Sequence, residues 1–454
     1  MAQAHPIANT EPKETSFDRR AFLKSTAIGA AGLGTMTSML GRVPQASAEE
    51  AQGSSPEAPG TEMTLEELNA FRKDLVDKQT DYTCADGTVI PAVYVKLRAL
   101  INSYSFGFGS EVHDHCFDEF IYLFTEDEAQ AYLEMPYGVE FTATDFAVSS
   151  GRSEEECRAL CEDLASRAVL RRVRRGGVPY YHHVAMAYGL WEYRVCGDDS
   201  DEYAAAHSAV WGEDAPDNKM GSYTPFYYTV PVHRDVVNED DIYPYDDYEK
   251  ILERNSVFGI AACQCQKLFT ATGEIPESDV LMERCIVLGA NAEYCIESGF
   301  AREASKDEVL NLIRDCVDQG MVVEKVWTKE PEVICLCHKN ICGILSAYQA
   351  LGDEFTKYNT FGYVSHYQLQ YDKDVCVGCG MCVDRCPVFA ISMSDEGYPT
   401  TKASCVSCGQ CALICPQGAR TLSMKDLEGF PDLSENLLDD YNVKAMYRAT
   451  HQMI

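Results

Sequence analysis

Positive charge is scarce in this chain: 38 lysines and arginines stand against 71 aspartates and glutamates, a formal net charge of -33 over 454 residues. A surface of that sign repels nucleic-acid phosphates and anionic lipid headgroups, which argues against both as partners. Long apolar runs are missing too. A membrane-crossing helix needs ~20 strongly apolar residues, and the uncharged stretch between Lys24 and Arg42 is short and made of Ala, Gly, Thr, Ser, Leu, Ile and Met. No Gly-x-Gly-x-x-Gly follows a strand pattern and opens a helix, so nothing supports a dinucleotide fold. No Cys-x-x-Cys-His occurs, so covalently attached haem is not indicated. Cysteine, by contrast, is plentiful, at 21.

Eight of these cysteines form two copies of one spacing. Cys376, Cys379, Cys382 and Cys386 are followed by Pro387; Cys405, Cys408, Cys411 and Cys415 are followed by Pro416. Each member of the second set lies 29 residues after its counterpart, and the pairs Val377/Val406, Gly380/Gly409 and Ala390/Ala419 keep the same offset, so the segment is an internal duplication. Three thiolates two residues apart can wrap one corner of a cubane within a single tight loop, while the fourth must arrive from elsewhere. A zinc ribbon instead wants two separated Cys-x-x-Cys pairs. Since eight of 21 cysteines are taken up here, an odd number remains, and at least one of those is free or metal-bound.

From about Tyr371 to Ser423 the chain resembles the bacterial-type double [4Fe-4S] ferredoxins, matching Cys-x-x-Cys-x-x-Cys-x-x-x-Cys-Pro twice. The resemblance implies two [4Fe-4S] clusters and an electron-transfer role. Cys376, Cys379, Cys382 and Cys415 would hold one cluster, and Cys405, Cys408, Cys411 and Cys386 the other, which brings the two centres close enough to exchange electrons. Gly380 and Gly409 would let backbone amides approach the inorganic sulfides, and Pro387 and Pro416 would turn the chain away.

At the other end, Ser16-Phe17-Asp18-Arg19-Arg20-Ala21-Phe22-Leu23-Lys24 resembles the twin-arginine export motif, with Asp18 where serine or threonine is common. The weakly apolar stretch after it and the small-x-small site Ala46-Ser47-Ala48 complete a signal peptide over residues 1–48. This route carries proteins already folded, which suits clusters inserted before export. Cleavage would remove more basic residues (Lys13, Arg19, Arg20, Lys24, Arg42) than acidic ones (Glu11, Glu14, Asp18), leaving a still more acidic surface that favours a basic docking face on a redox partner.

Residues 49–64 read as a linker rich in Ser, Pro, Gly, Ala and Glu. Residues 65–235 are mainly helical. Ser153 to Glu156 is a capping-box opening, with Cys157, Leu160, Cys161, Leu164, Ala165 and Ala168 following on one helical face, and Thr142 begins a shorter helix. Leu170 to Tyr181 reads as a hairpin turning at Gly176-Gly177. Helix, helix, hairpin is a winged-helix arrangement, but its second helix carries Glu154, Glu155, Glu156, Glu162 and Asp163 against only Arg158 and Arg167, the wrong sign for a DNA groove. The expected role is packing or partner docking, with Cys157 and Cys161 in the core. His113-Asp114-His115-Cys116 could bind a metal but reads better as a polar turn. Residues 238–248 form an acidic, tyrosine-rich loop.

A second cysteine group runs through the domain at residues 236–365: Cys263 and Cys265, Cys285, Cys295, then Cys335, Cys337 and Cys342, with a helix from Ser305 to Gly320 between the halves. Thiolates converging from separate short loops suggest a third metal centre held by Cys263, Cys265, Cys285 and one or more of Cys335, Cys337 and Cys342; buried thiols or a disulfide pair are the alternatives. Cys295 and Cys316 fall in helical patterns and read as structural. The whole arrangement is similar to a group of large iron-sulfur proteins of anaerobic bacteria, which carry a denser cysteine run where Leu336 and His338 stand among the thiols here.

The expectation is therefore an α+β protein with a winged-helix-like N-terminal module, a cysteine-rich middle domain, a double-cubane ferredoxin-type domain at 366–425 and a tail at 426–454. It would relay single electrons to or from an exported or membrane protein partner, with no transmembrane helix in the mature chain. The alternative is a reductase whose third, middle-domain cluster binds a substrate.

Overall fold

The computed structural model describes residues 63–109, 112–194, 201–211, 222, 224–225, 227–232, 245–271, 283–343, 345, 349, 365–428 and 430–454. The twin-arginine segment, the cleavage site at Ala46-Ser47-Ala48 and most of the acidic loop 238–248 lie outside the described residues. Helices and strands are mixed along the chain. No helix among the described residues is long and apolar enough to cross a membrane.

The first part of the chain is a helical layer. The layer consists of the helices Leu65–Asp77, Ala92–Asn102, Asp118–Leu123, Glu126–Glu134, Ala143–Ser150 and Glu154–Ser166. Four of them open on a threonine or serine that accepts from the N3 amide while the N3 carboxylate accepts from the cap: Thr64/Glu67, Thr125/Glu128, Thr142/Asp145 and Ser153/Glu156. Each cap satisfies two donors that the first turn otherwise leaves bare. Cys157, Cys161, Leu164 and Ala165 face inward as their spacing predicts.

The short strands β1 (Tyr82–Thr83) and β2 (Val89–Ile90) pair with each other. The hairpin β3 (Arg171–Arg175) and β4 (Val178–His182) turns at Gly176-Gly177, both with positive φ. Its arginines are held internally. Arg171 pairs with Glu332, Arg172 with Glu162 and Glu297, Arg174 with Glu297, and Arg175 with Glu140.

The middle of the chain is a six-stranded antiparallel sheet. Its strands are β5 (Tyr227–Val230), β6 (Phe258–Ala262), β7 (Glu283–Leu288), β8 (Arg302–Ala304), β9 (Val322–Val326) and β10 (Val333–Cys337), in the order β5-β9-β10-β7-β6-β8. The edge strand β5 lies far from β9 in sequence and pairs with it through Tyr227↔Val326 to Val230↔Val323. Because side chains alternate along a strand, the two faces differ. Ile286, Leu288, Ile334, Leu336, Val323 and Ile260 pack with Val309, Ile313, Cys316 and Val317 of the helix Lys306–Asp318. The opposite face, with Cys285, Val287, Val322, Val326 and Val333, joins the larger core of the N-terminal helices through the helix Gly289–Glu297. Tyr294 of that helix donates its hydroxyl to the carbonyls of Ala165 and Leu170.

The last strands are β11 (Tyr367–Tyr371), β12 (Ile391–Met393), β13 (Pro399–Thr401) and β14 (Arg420–Met424), pairing as β11 with β14 and β12 with β13. The final helix, Leu437–Thr450, returns to the beginning of the chain. Asn442 accepts from Arg72 at 3.1 Å and donates to Gly138 O at 2.8 Å, and the buried Arg448 donates to Asn102 O at 2.5 Å.

Candidate metal centre

The duplicated segment folds as two similar loops between β11 and β14. In each repeat a glycine, Gly380 (φ 77°) or Gly409 (φ 86°), sits in the left-handed region and starts a short helix, Met381–Arg385 or Gln410–Leu413. That backbone conformation, which a side chain strains, is the local demand for glycine here. Other left-handed positions repeat as well: Gly378 matches Ser407, and Phe389 matches Gly418.

The repeats exchange their fourth cysteines. Cys376, Cys379, Cys382 and Cys415 line one hollow, together with Tyr371, Val377, Met381 and Arg420. Cys386, Cys405, Cys408 and Cys411 line a second. All eight cysteines are free thiols. The hollows differ in exposure: in the first Cys379 is exposed, Cys376 and Cys415 are half-buried and Cys382 is buried, whereas in the second Cys386, Cys408 and Cys411 are buried and Cys405 is half-buried. Val375, Val377 and Met381 form an exposed apolar rim beside Cys379.

Backbone amides already point at sulfur. Gly378 N donates to Cys376 Sγ at 3.4 Å and Ala390 N to Cys386 Sγ at 3.2 Å. The Tyr371 hydroxyl and the Gly378 amide hold Cys376 below the ordinary thiol value. Burial pushes Cys411 up to about 12 and raises Cys405 and Cys408. Arg420 is buried against the first hollow, stacks on Tyr371 at 5.0 Å, and opposes the burial of Cys382 and Cys411 by its charge. Its Nε and Nη2 meet no hydrogen-bond acceptor among the described residues. A buried guanidinium with donors to spare, beside thiolate-lined hollows rimmed by amides, suits an anionic sulfide-bridged cluster in each.

The ferredoxin-type loops dock on one helix end. The helix Lys306–Asp318 leaves its last carbonyls without partners of its own. Arg385 donates to Val317 O and Asp318 O, both at 2.9 Å, and the buried Gln410 donates to Val317 O at 3.0 Å and Met321 O at 2.6 Å. Arg385 and Gln410 are themselves bonded at 2.7 Å. Val232 N, beyond β5, donates to Cys408 O at 3.1 Å.

The second cysteine group also converges, with Cys285, Cys335 and Cys337 on one sheet face and Cys263, Cys265 and Cys342 arriving from the short segments that flank it. Cys285, Cys335 and Glu324 are direct cross-strand neighbours on β7, β10 and β9, in one row. Cys337, two residues beyond Cys335, shares its face. Cys263 follows β6, and Cys265 opens the helix Gln264–Ala271. Thiol contacts run unbroken from Cys263 to Cys265, Cys342, Cys337, Cys335 and Cys285. The polar contacts of Cys335 with Cys285, Cys337 and Tyr227 hold it well below the ordinary thiol value. Cys337 Sγ donates to Glu324 Oε2 at 2.9 Å, and Glu324, Cys337 and Cys342 bring their donor atoms within 4.8 Å of one another. Cys295 and Cys316 are buried in their helices, as their spacing predicts.

Elsewhere, Asp114 accepts from the Tyr82 hydroxyl and the Ala85 amide, and His115 bonds Asp118, so His113 to Cys116 is a hydrogen-bonded polar turn. Sequence reasoning missed Arg420, Glu324, Gln410 and Arg385. The only available signals were a lone arginine just past the second repeat and a charged pair, Glu324-Lys325, inside an apolar strand.

Comparison with known proteins identifies residues 375–419 as a 4Fe-4S dicluster domain. A 31-residue stretch, 7% of the chain, is 55% identical to a "Probable ferredoxin" of Methanosarcina thermophila. The match covers 53% of that protein, so the chain spans about half the length of this curated relative. No solved structure matches. The chain therefore contains a ferredoxin-type iron-sulfur domain, and that domain type supports electron transfer.

Proposed function

We propose that this protein is an exported electron carrier that passes single electrons between a protein partner and a pair of [4Fe-4S] clusters. The observation that carries the reading is the crossed lining of the two hollows, three cysteines from one repeat and the fourth from the other. Cys376, Cys379, Cys382 and Cys415 hold the first cluster; Cys405, Cys408, Cys411 and Cys386 hold the second. The clusters supply one-electron redox chemistry with no acid, base or nucleophile. The chain's own residues set the conditions: amides of Gly378 and Ala390 and the charge of Arg420 stabilise the added negative charge, and the protein around Cys408 excludes water.

The partner meets the first hollow, where Cys379 is exposed within the apolar rim of Val375, Val377 and Met381. Around that contact the acidic chain favours a basic partner surface, such as that of a membrane quinol or cytochrome donor or of a reductase outside the cytoplasmic membrane. Arg19 and Arg20 direct the loaded protein through the twin-arginine route to the periplasm or the outer face of the membrane.

The test is iron and sulfide analysis of the full chain purified without oxygen. The paired motif contributes roughly eight irons, and C379A with C408A removes that contribution. Colourless protein, or iron content indifferent to both substitutions, refutes the reading. Replacement of both Arg19 and Arg20 by lysine should leave the precursor in the cytoplasmic fraction, and unchanged export would refute the address.

A further inference from the structure

We infer that Cys285, Cys335 and Cys337 on the sheet face, together with Cys263, Cys265 and Cys342 beside it, hold a third iron-sulfur centre, with Glu324 as an oxygen donor on its Cys337/Cys342 side. The argument begins with periodicity. Cys335 and Cys337 are alternate residues of one strand and so share a face. Antiparallel register then sets Cys285 and Glu324 beside Cys335 on either side. Cys263 and Cys265 arrive from the end of β6, and Cys342 from the turn after β10. Residues from Cys263 to Cys342 thus meet in one continuous run of thiol contacts.

The donor chemistry selects the occupant. Thiolates choose soft or borderline metals, that is, zinc, copper(I) or iron-sulfur clusters, over magnesium or calcium. A structural zinc ion takes four ligands in a closed tetrahedron, and six sulfurs with a buried carboxylate exceed that demand. A polynuclear cluster spreads its ligand sites over a larger volume and can use an oxygen donor at one iron. Three disulfides are the competing use of six cysteines, but all six are free thiols here.

The position adds a reason for redox metal. Cys337 is the register partner of Val322. The residue before it, Met321, accepts from Gln410, which directly precedes Cys411 of the second hollow. A second link runs through Gln349, which donates to Lys339 O and, at 2.8 Å, to Pro387 O, the residue after Cys386. The six-thiol group therefore adjoins the buried ferredoxin-type hollow through two hydrogen-bonded routes. One electron leaving the cluster at Cys386, Cys405, Cys408 and Cys411 would oxidise that cluster by one and reduce the third centre by one, with no atom transferred.

For its electron supply this inference rests on the proposed carrier function, but its metal is counted separately. Full-length protein carrying C379A and C408A, reconstituted anaerobically with excess iron and sulfide, should retain about four irons per chain, the complement of one cubane. The further change C335S should abolish them, and E324Q should leave the iron in place while altering its Mössbauer or electron paramagnetic resonance spectrum. In the wild-type chain, where folding is not in question, the same treatment should give about twelve irons. About eight irons in the wild type, one tightly held zinc ion, or six cysteines recovered as three disulfides would each overturn the third centre and leave the ferredoxin pair standing. Loss of the ferredoxin iron alone would refute the carrier reading instead.

Discussion

Replacing Arg420 by glutamine should lower the reduction potential of both ferredoxin-type clusters. The guanidinium is buried, and its charge acts on Cys376 and Cys382 of one hollow and on Cys405 and Cys411 of the other. A cluster becomes more negative by one charge on reduction, so a nearby cation favours the reduced form and its removal favours the oxidised one. At a separation of roughly 6–8 Å and an effective dielectric constant of about 20, Coulomb's law gives ~2–3 kcal/mol. Relaxation and water entry into the vacated space would leave about 1–2 kcal/mol, which for a one-electron couple is a drop of ~40–90 mV. The assay is an anaerobic redox titration followed by electron paramagnetic resonance, with iron content checked first. Lysine at the same position keeps the charge and should shift the potentials much less. Unchanged potentials in R420Q at full iron loading, or a rise, would refute the electrostatic role.

Three further outcomes follow from the same structure. V377E, on the rim of the first hollow, should slow reduction by the physiological partner several-fold while leaving iron content and potentials unchanged; equal slowing with a small inorganic reductant would show that docking is not what it disturbs. R385Q removes two bonds to the carbonyls of Val317 and Asp318 and should cost about 1–2 kcal/mol of unfolding stability in a denaturant titration, with no loss expected if the ferredoxin-type loops are docked by other contacts. His183 is buried, its Nε2 against Tyr132 O at 2.9 Å, and burial lowers its pKa to about 3. The folded state therefore resists protonation, and stability falls as pH drops below the unfolded value near 6.5. From pH 7 to pH 5 this one group should remove about 2 kcal/mol, and H183Q should flatten that part of the profile. An equally steep acid limb in H183Q would assign it to other groups.

What could be read in advance was what the chain encodes locally. The cysteine spacing is covalent arithmetic: the equal offset of every repeated residue already implied two similar loops, and the resemblance to double-cluster ferredoxins implied that they trade a ligand. The capping boxes at Thr142 and Ser153 and the turn at Gly176-Gly177 are likewise written within a few residues of where they act. The row of Glu324, Cys335 and Cys285 is different, because it exists only once β9, β10 and β7 are in register, and register is a property of the sheet. Cys335-Leu336-Cys337 did carry the alternation that put both thiols on one face, but nothing nearby identified Glu324 as their neighbour. The same holds for β5, whose place beside β9 depends on strands almost a hundred residues apart, and for Arg385 and Gln410, whose partners are the last carbonyls of a helix far upstream.

The way these distant pieces meet explains how a buried ferredoxin-type site can sit against a helix C-terminus, where the partial negative charge opposes adding an electron. Val317, Asp318 and Met321 direct their carbonyls toward the two repeats, and each repeat answers with a donor: Gln410 of the second on Val317 and Met321, and the cationic Arg385 of the first on Val317 and Asp318. Arg385 thus neutralises the helix end and, by its position, also places positive charge near Cys408. Arg420 lines the first hollow and its charge reaches thiols of both, so each thiolate set in this strongly acidic protein has an arginine drawn in beside it. Both are held by residues outside the cysteine motif, Arg420 by the Tyr371 ring and Thr401 and Arg385 by the helix end. The motif specifies where iron can bind; the contacts that bring these two cations inward determine how readily an electron can be added there.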